Sequence, residues 1–150
     1  MKLAEALSLR ADLQKRVAQL KGRLKDCSKV QEGDSPAEDV NELYKELDEL
    51  LAQLEGLIYR INATNIRTSL EGESLTQLIA RKDVLTMRVS LMRELLEHVT
   101  EQDHRYSRQE IKMVRMIDVP ELRMQLDLRS RDLRELDLAI QKLNWSVDLI

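Results

Sequence analysis

From Val40 to Thr64 an apolar residue returns at alternating steps of three and four: Val40, Leu43, Leu47, Leu50, Leu54, Leu57, Ile61, closing on Thr64. An α-helix puts such positions on one stripe, whereas a strand would scatter them over both faces. Tyr44, Leu51 and Ile58 widen the stripe on one side. That width suits a bundle of several helices better than a two-stranded seam. The same spacing recurs three times. It runs Leu3, Ala6, Arg10, Leu13, Val17, Leu20, Leu24, Cys27, then Leu75, Leu78, Lys82, Leu85, Val89, Met92, Leu96, Val99. The last seam is Val119, Leu122, Leu126, Arg129, Leu133, Leu136, Ile140, Leu143, Val147, Ile150. The expected fold is all-α, a single domain built as an antiparallel bundle of four long helices.

Helix-start signals set the expected boundaries. Gly33 breaks the first seam, and Ser35-Pro-Ala-Glu38 reads as a capping box with proline at the first helical position. Ser74-Leu-Thr-Gln77 and Asp118-Val-Pro-Glu121 are two further boxes. The helices are thus expected at about 2–29, 36–66, 75–100 and 119–147. Between 38 and 57 stand seven acidic residues and one lysine, while residues 1–29 carry eight basic and three acidic. Packed as a hairpin, the first two helices would offer complementary faces.

The connection EQDHRYSRQEIKMVRMIDV, residues 101–119, is long for a structureless loop in a compact domain. Residues 110–118 read as a short extended segment, with a helix through Ile111, Val114 and Ile117 as the alternative. A strand there would have no second strand in the chain, so its natural partner is another subunit. Tyr106, Arg108, Ile111, Met113 and Ile117 are the candidate interface residues.

Composition narrows the function classes. The chain has no Phe and three Tyr, and 34% of its residues are charged, the signature of long amphipathic helices. A net charge of −3 argues against nucleic acid as the main partner. One cysteine allows no intrachain disulfide, the first residues carry charges every few positions, and no run approaches the roughly 18 apolar residues of a membrane span. The expected setting is the cytoplasm, with no membrane partner.

Each seam has a polar break: Arg10, Thr64 with Asn65 beside it, Lys82 and Arg129. The weightier reading is structural: a long cation snorkels to solvent, or one polar seam residue sets register at some cost in stability. Asp83, Glu55 and Asp132 are the carboxylates expected within reach. The functional reading is a polar cluster of Arg10, Asn62, Asn65, Lys82, Asp83 and Arg129 at one bundle end, able to take a small anion. Glu94, Glu97, His98, Glu101 and His104 form the only metal-like grouping. Glu101 and His104 have the Glu-x-x-His spacing of di-iron bundles, but such sites need two motifs and further glutamates. No metal, no cofactor and no catalytic residue is therefore expected. Cys27 lies on an apolar seam, where a free cysteine acts as a small hydrophobe.

The stretches LAEALSLRADLQKR at the start, RINATN at 60–65, ARKDVL at 80–85, RYSRQEI at 105–111 and the late NW at 144–145 resemble a family of uncharacterised bacterial proteins, some labelled septicolysin. The resemblance spans nearly the whole chain. It implies a long-helix protein that assembles as a homo-oligomer, with no established activity. The readings rank as follows: a non-enzymatic self-associating bundle with residues 105–119 in its interface, a small-anion or metabolite binder, a metal-binding bundle, and last a pore-forming cytolysin.

Overall fold

The structure is a computed structural model and describes residues 1–102 and 111–150. Four long helices carry it: α1 (Leu3–Ser28), α2 (Val40–Arg67), α3 (Leu75–Thr100) and α4 (Val119–Ser146). Two short strands, β1 (Ser69–Leu70) and β2 (Glu73–Ser74), pair antiparallel between α2 and α3. The fold is all-α, with its helices in antiparallel pairs. The chain divides into two compact units, one of Met1–Thr76 with Gln141–Ile150, the other of Gln77–Ile140.

In the first unit the heptad seams of α1 and α2 meet. Ala6, Leu13, Leu20 and Cys27 are buried on α1, and Leu43, Leu50, Leu57 and Thr64 on α2, each set at steps of seven. Leu3, Ile61, Leu75 and Leu149 are buried in the same unit. Between these positions Val17, Leu24, Val40 and Leu47 are half-buried and, with Tyr44 and Leu51, line an open groove of about 410 Å³. One neighbouring helix covers one stripe, and the wider apolar face of α2 extends past it.

α2 starts later than the capping box suggests. Its cap is Asp39, whose Oδ1 accepts from the backbone N–H of Asn41 at 2.8 Å and of Glu42 at 3.4 Å, and the helix begins at Val40, not at 36. The physical reason lies at Glu38, the residue meant to close the box with Ser35. Its carboxylate is held by the guanidinium of Arg23 on α1, with Glu46 at 3.5 Å from the same group. An aspartate caps as well as a serine, so the start moves to the next available acid. The start of α4 is as expected, with Asp118 Oδ1 accepting from Glu121 N–H at 3.1 Å.

Glu71 and Gly72 turn the hairpin with φ of 52° and 88°. A two-residue hairpin loop of this kind needs positive φ at both positions, which glycine adopts freely and glutamate at some cost.

The first unit is closed by its ends. Leu3 N–H donates to Val147 O at 3.0 Å and Leu149 N–H to Met1 O at 2.9 Å, an antiparallel bridge centred on Lys2 and Asp148. Ile150 N–H donates to Thr64 Oγ1 at 3.1 Å, and Arg60 Nε donates to Ile150 O at 2.6 Å.

In the second unit α3 and α4 run side by side, but among its described residues only Leu78, Val89 and Ile140 are buried. Residues 111–118 form neither helix nor strand, so the helical alternative for Ile111, Val114 and Ile117 does not hold, and the segment pairs with no strand among the described residues.

Candidate functional site

Lys82 sits on the α3 seam, half-buried, and its ammonium is paired with the carboxylate of Asp137 on α4. Asp83, proposed from the sequence as a partner, is exposed on the solvent side of α3. Asp132 is engaged elsewhere, by Arg129 at 3.5 Å and Arg131 at 3.8 Å. Adjacency along a helix turns a side chain about 100° away, so residue 83 cannot share the seam with residue 82. Asp137 was missed because its relation to Lys82 is tertiary. Counting inward from the start of α3 and the end of α4 would have brought the two to nearly one level.

The pair joins α3 to α4 and lies on one open side of these two helices. That side is a groove of about 430 Å³ lined by Lys82, Thr86, Val89, Arg93, Ser130, Leu133, Arg134 and Asp137. It is mostly polar. The other side is a larger groove of about 740 Å³, with Ala80, Val84, Leu85 and Leu136 as its apolar lining and Arg81, Arg88, Arg129, Asp132 and Glu135 around them.

The remaining predicted residues belong to the first unit. Arg10 and Asn65 are partly buried and Asn62 is exposed; none of the three side chains makes a hydrogen bond or ion pair among the described residues. Thr64, read as a break in the seam, is 1% exposed. Its hydroxyl donates to Arg60 O at 2.8 Å and accepts from Ile150 N–H, so it satisfies a main-chain donor while sitting in the core. Hydrogen-bonding both ways is what makes a hydroxyl tolerable there.

Of the metal-like residues, Glu94, Glu97, His98 and Glu101 lie on the outer half of α3 or just past it, and His104 lies outside the described residues. Among the described residues no group of three or more His, Cys, Asp or Glu is placed to hold a metal ion. Of the interface candidates, Tyr106 and Arg108 lie outside the described residues, while Ile111 and Met113 are exposed and Ile117 borders on it. Cys27 is buried in the α1–α2 core, as its seam position suggests.

Two exposed ion pairs link elements of the first unit. The hydrogen bond from Arg23 holds the Glu38 carboxyl below the ordinary glutamate range and pushes the guanidinium's own pKa up. Lys2, 3.0 Å from Asp148, holds that carboxyl below its usual range through the same kind of hydrogen bond. Depressed folded-state values mean that what these pairs contribute is present above the ordinary carboxylate pKa of about 4. It is lost as pH falls through the depressed values.

The arrangement defines a long-helix protein in which the seam breaks Thr64, Lys82 and Arg129 have partners within the chain, and whose second helix pair leaves a large amphipathic groove open. The chain belongs to a family of unknown function, DUF6847, whose model matches residues 10–149. It is also similar to a solved structure from Corynebacterium diphtheriae, described as a functionally unknown conserved protein. The two are 42% identical, with a TM-score of 0.92 over 100% of this chain and 99% of that one. No curated protein matches. The resemblance to septicolysin-labelled proteins therefore reduces to membership of a family without an assigned activity.

Proposed function

We propose that this chain is a non-enzymatic protein that associates with copies of itself and acts in the cytoplasm through that assembly. The observation that carries the reading is the apolar surface around the second helix pair. Ile111 is 93% exposed and Met116 91%, with Met113 and Val114 close behind, and Val84, Met87 and Leu91 stand in water along α3. Single exposed apolar residues need no explanation, but four within the six residues from Ile111 to Met116 do. The anion reading ranks second. It has lost two of its cations to carboxylates, since Lys82 meets Asp137 and Arg129 meets Asp132; Arg10, Asn62 and Asn65 remain for it. The metal reading has no constellation of ligands among the described residues to support it. The cytolysin reading stays last, and no helix among the described residues is long and apolar enough to cross a membrane.

The test is the mass in solution. Light scattering on the eluting protein is expected to give at least twice the 17.5 kDa of the chain. A monomer at tens of micromolar would overturn the reading.

A further inference from the structure

The apolar groove of the first unit has edges of opposite charge. On its α1 edge it is lined by Lys21, Lys25 and Ser28, and no acidic side chain is among its lining residues. At about 100° of turn per residue, the three acids of α1, Glu5, Asp12 and Asp26, fall on the other side of the seam through Leu13 and Leu20. On the α2 edge Tyr44, Leu51 and Ile58 form an exposed apolar row. Asp48 and Glu55 each stand four residues after one member of that row and three before the next, so they flank it, on the side away from α1. Lys45, the only lysine of α2, is turned elsewhere, to Glu42 at 2.7 Å. None of the side chains of Lys21, Lys25, Asp48 and Glu55 makes a hydrogen bond or ion pair among the described residues.

Across this face, from α1 to α2, the order runs cation, apolar, acid. A partner that fits must present the reverse order, and the same face turned through a two-fold rotation does so. Arg23 and Glu46, 3.5 Å apart across the helix pair, set the levels. Counting outward from them along antiparallel helices puts Lys21 at the height of Asp48 and Gln14 at that of Glu55. A two-fold axis parallel to the helices keeps these heights and places α1 of one copy beside α2 of the other. We propose that the α1–α2 pair docks through this groove onto the same groove of a second copy. Lys21 then meets Asp48 of the second copy, Lys25 comes within a turn of it, and Gln14 meets Glu55. Val17, Leu24, Tyr44, Leu47 and Leu51 of both copies close a four-helix core. Charges flanking an apolar seam decide which helix faces which, and here they match α1 to α2 and oppose α1 to α1. This contact rests on the self-association proposed above and gives it a surface on the first unit.

Mixing two charge variants tests it. Lys21→Glu and Asp48→Lys are each expected to weaken association at least tenfold by analytical ultracentrifugation, since each sets like charges at both symmetric contacts. An equal mixture of the two is expected to return to within a few-fold of the native protein, because every contact between unlike variants again joins opposite charges. Orientation is read with two single-cysteine proteins, Gln14→Cys and Glu55→Cys, both with Cys27→Ala, under mild oxidation. A disulfide between the two is expected, formed in preference to either protein linking to itself. If the native protein associates but the charge variants do so equally well, or their mixture does not recover, this groove is not the interface, though self-association stands. Preferential linkage of Gln14→Cys to itself would put α1 against α1 and overturn the arrangement. A monomeric native protein removes both proposals. Should a charge variant misfold by circular dichroism, the disulfide decides alone, since Gln14 and Glu55 are both exposed, and its absence overturns the contact.

Discussion

In the α1–α2 pair one seam position in each heptad disappears from solvent, from Ala6 to Cys27 on one helix and from Leu43 to Thr64 on the other. In the α3–α4 pair of the second unit only Leu78, Val89 and Ile140 do so, although the seams there are just as regular. The difference lies in the rest of each helix. Away from its seam α1 is mainly polar and charged, and Arg23 ties it to the acidic side of α2 through Glu38 and Glu46. α3 has apolar residues on two sides, so a single neighbouring helix can cover only one of them. Regular spacing thus predicts which residues face a partner, while the number of apolar sides predicts how many partners are required.

The contrast should be plainest in truncations. Leu50→Ala, in the closed core, is expected to cost about 2–5 kcal/mol. Met87→Ala, 70% exposed, should change stability by no more than about 0.5 kcal/mol at concentrations where the chain is dissociated. Urea melts of the two variants measure this. Equal losses would erase the distinction between the pairs, and a cost for Met87→Ala that grows with protein concentration would sharpen it.

Hydroxyls provide a second comparison. Thr64→Val puts a methyl where the Ile150 N–H, part-buried, has its acceptor, and is expected to cost about 1 kcal/mol or more. Thr86→Val on α3 removes only an exposed bond to the Lys82 carbonyl and should lie within about 0.5 kcal/mol of the native protein. Thermal melts in one buffer suffice, and a reversal of the order would mean that the Thr64 contact contributes little.

The smallest effect belongs to the seam lysine. A half-exposed ion pair contributes about 0–1 kcal/mol, so Lys82→Leu should cost no more than that, and Lys82→Leu with Asp137→Leu should recover it. A loss of several kcal/mol from the single variant would show that the pair is shielded from water far better than its exposure indicates.

These contrasts also mark what the sequence could show. Helices leave a local trace, and the seams placed α3 and α4 to within a residue. The start of α2 was misplaced because Ser35 and Glu38 satisfy a local rule that a distant arginine overrides. The hairpin between α2 and α3 escaped because Glu71-Gly72 is a weak form of the Asn-Gly signal. Asp137 as the partner of Lys82 needs the antiparallel register, which no short window contains. The polar cluster inferred from the seam breaks divides between the two units. Arg10, Asn62 and Asn65 lie in the first, Lys82, Asp83 and Arg129 in the second. Thr64 turned out to be a hydrogen-bonding core residue, a role that its seam position alone could not distinguish from a simple interruption.

The bridge of Met1–Leu3 to Val147–Leu149 has a consequence for how the protein is made. The first unit is discontinuous, with Gln77–Ile140 inserted before its last ten residues. On the ribosome α1 and α2 emerge early and can pair, but the partner of Lys2 and the donor to Thr64 are synthesised only after Gln77–Ile140. At roughly 5–20 residues per second the wait is several seconds, during which the N–H of Leu3 has only water to bond. The bridge is therefore expected to form late in refolding as well. Lys2→Ala should then speed unfolding in stopped-flow experiments while leaving the folding rate nearly unchanged, so that the contact acts as a latch on a unit already largely assembled.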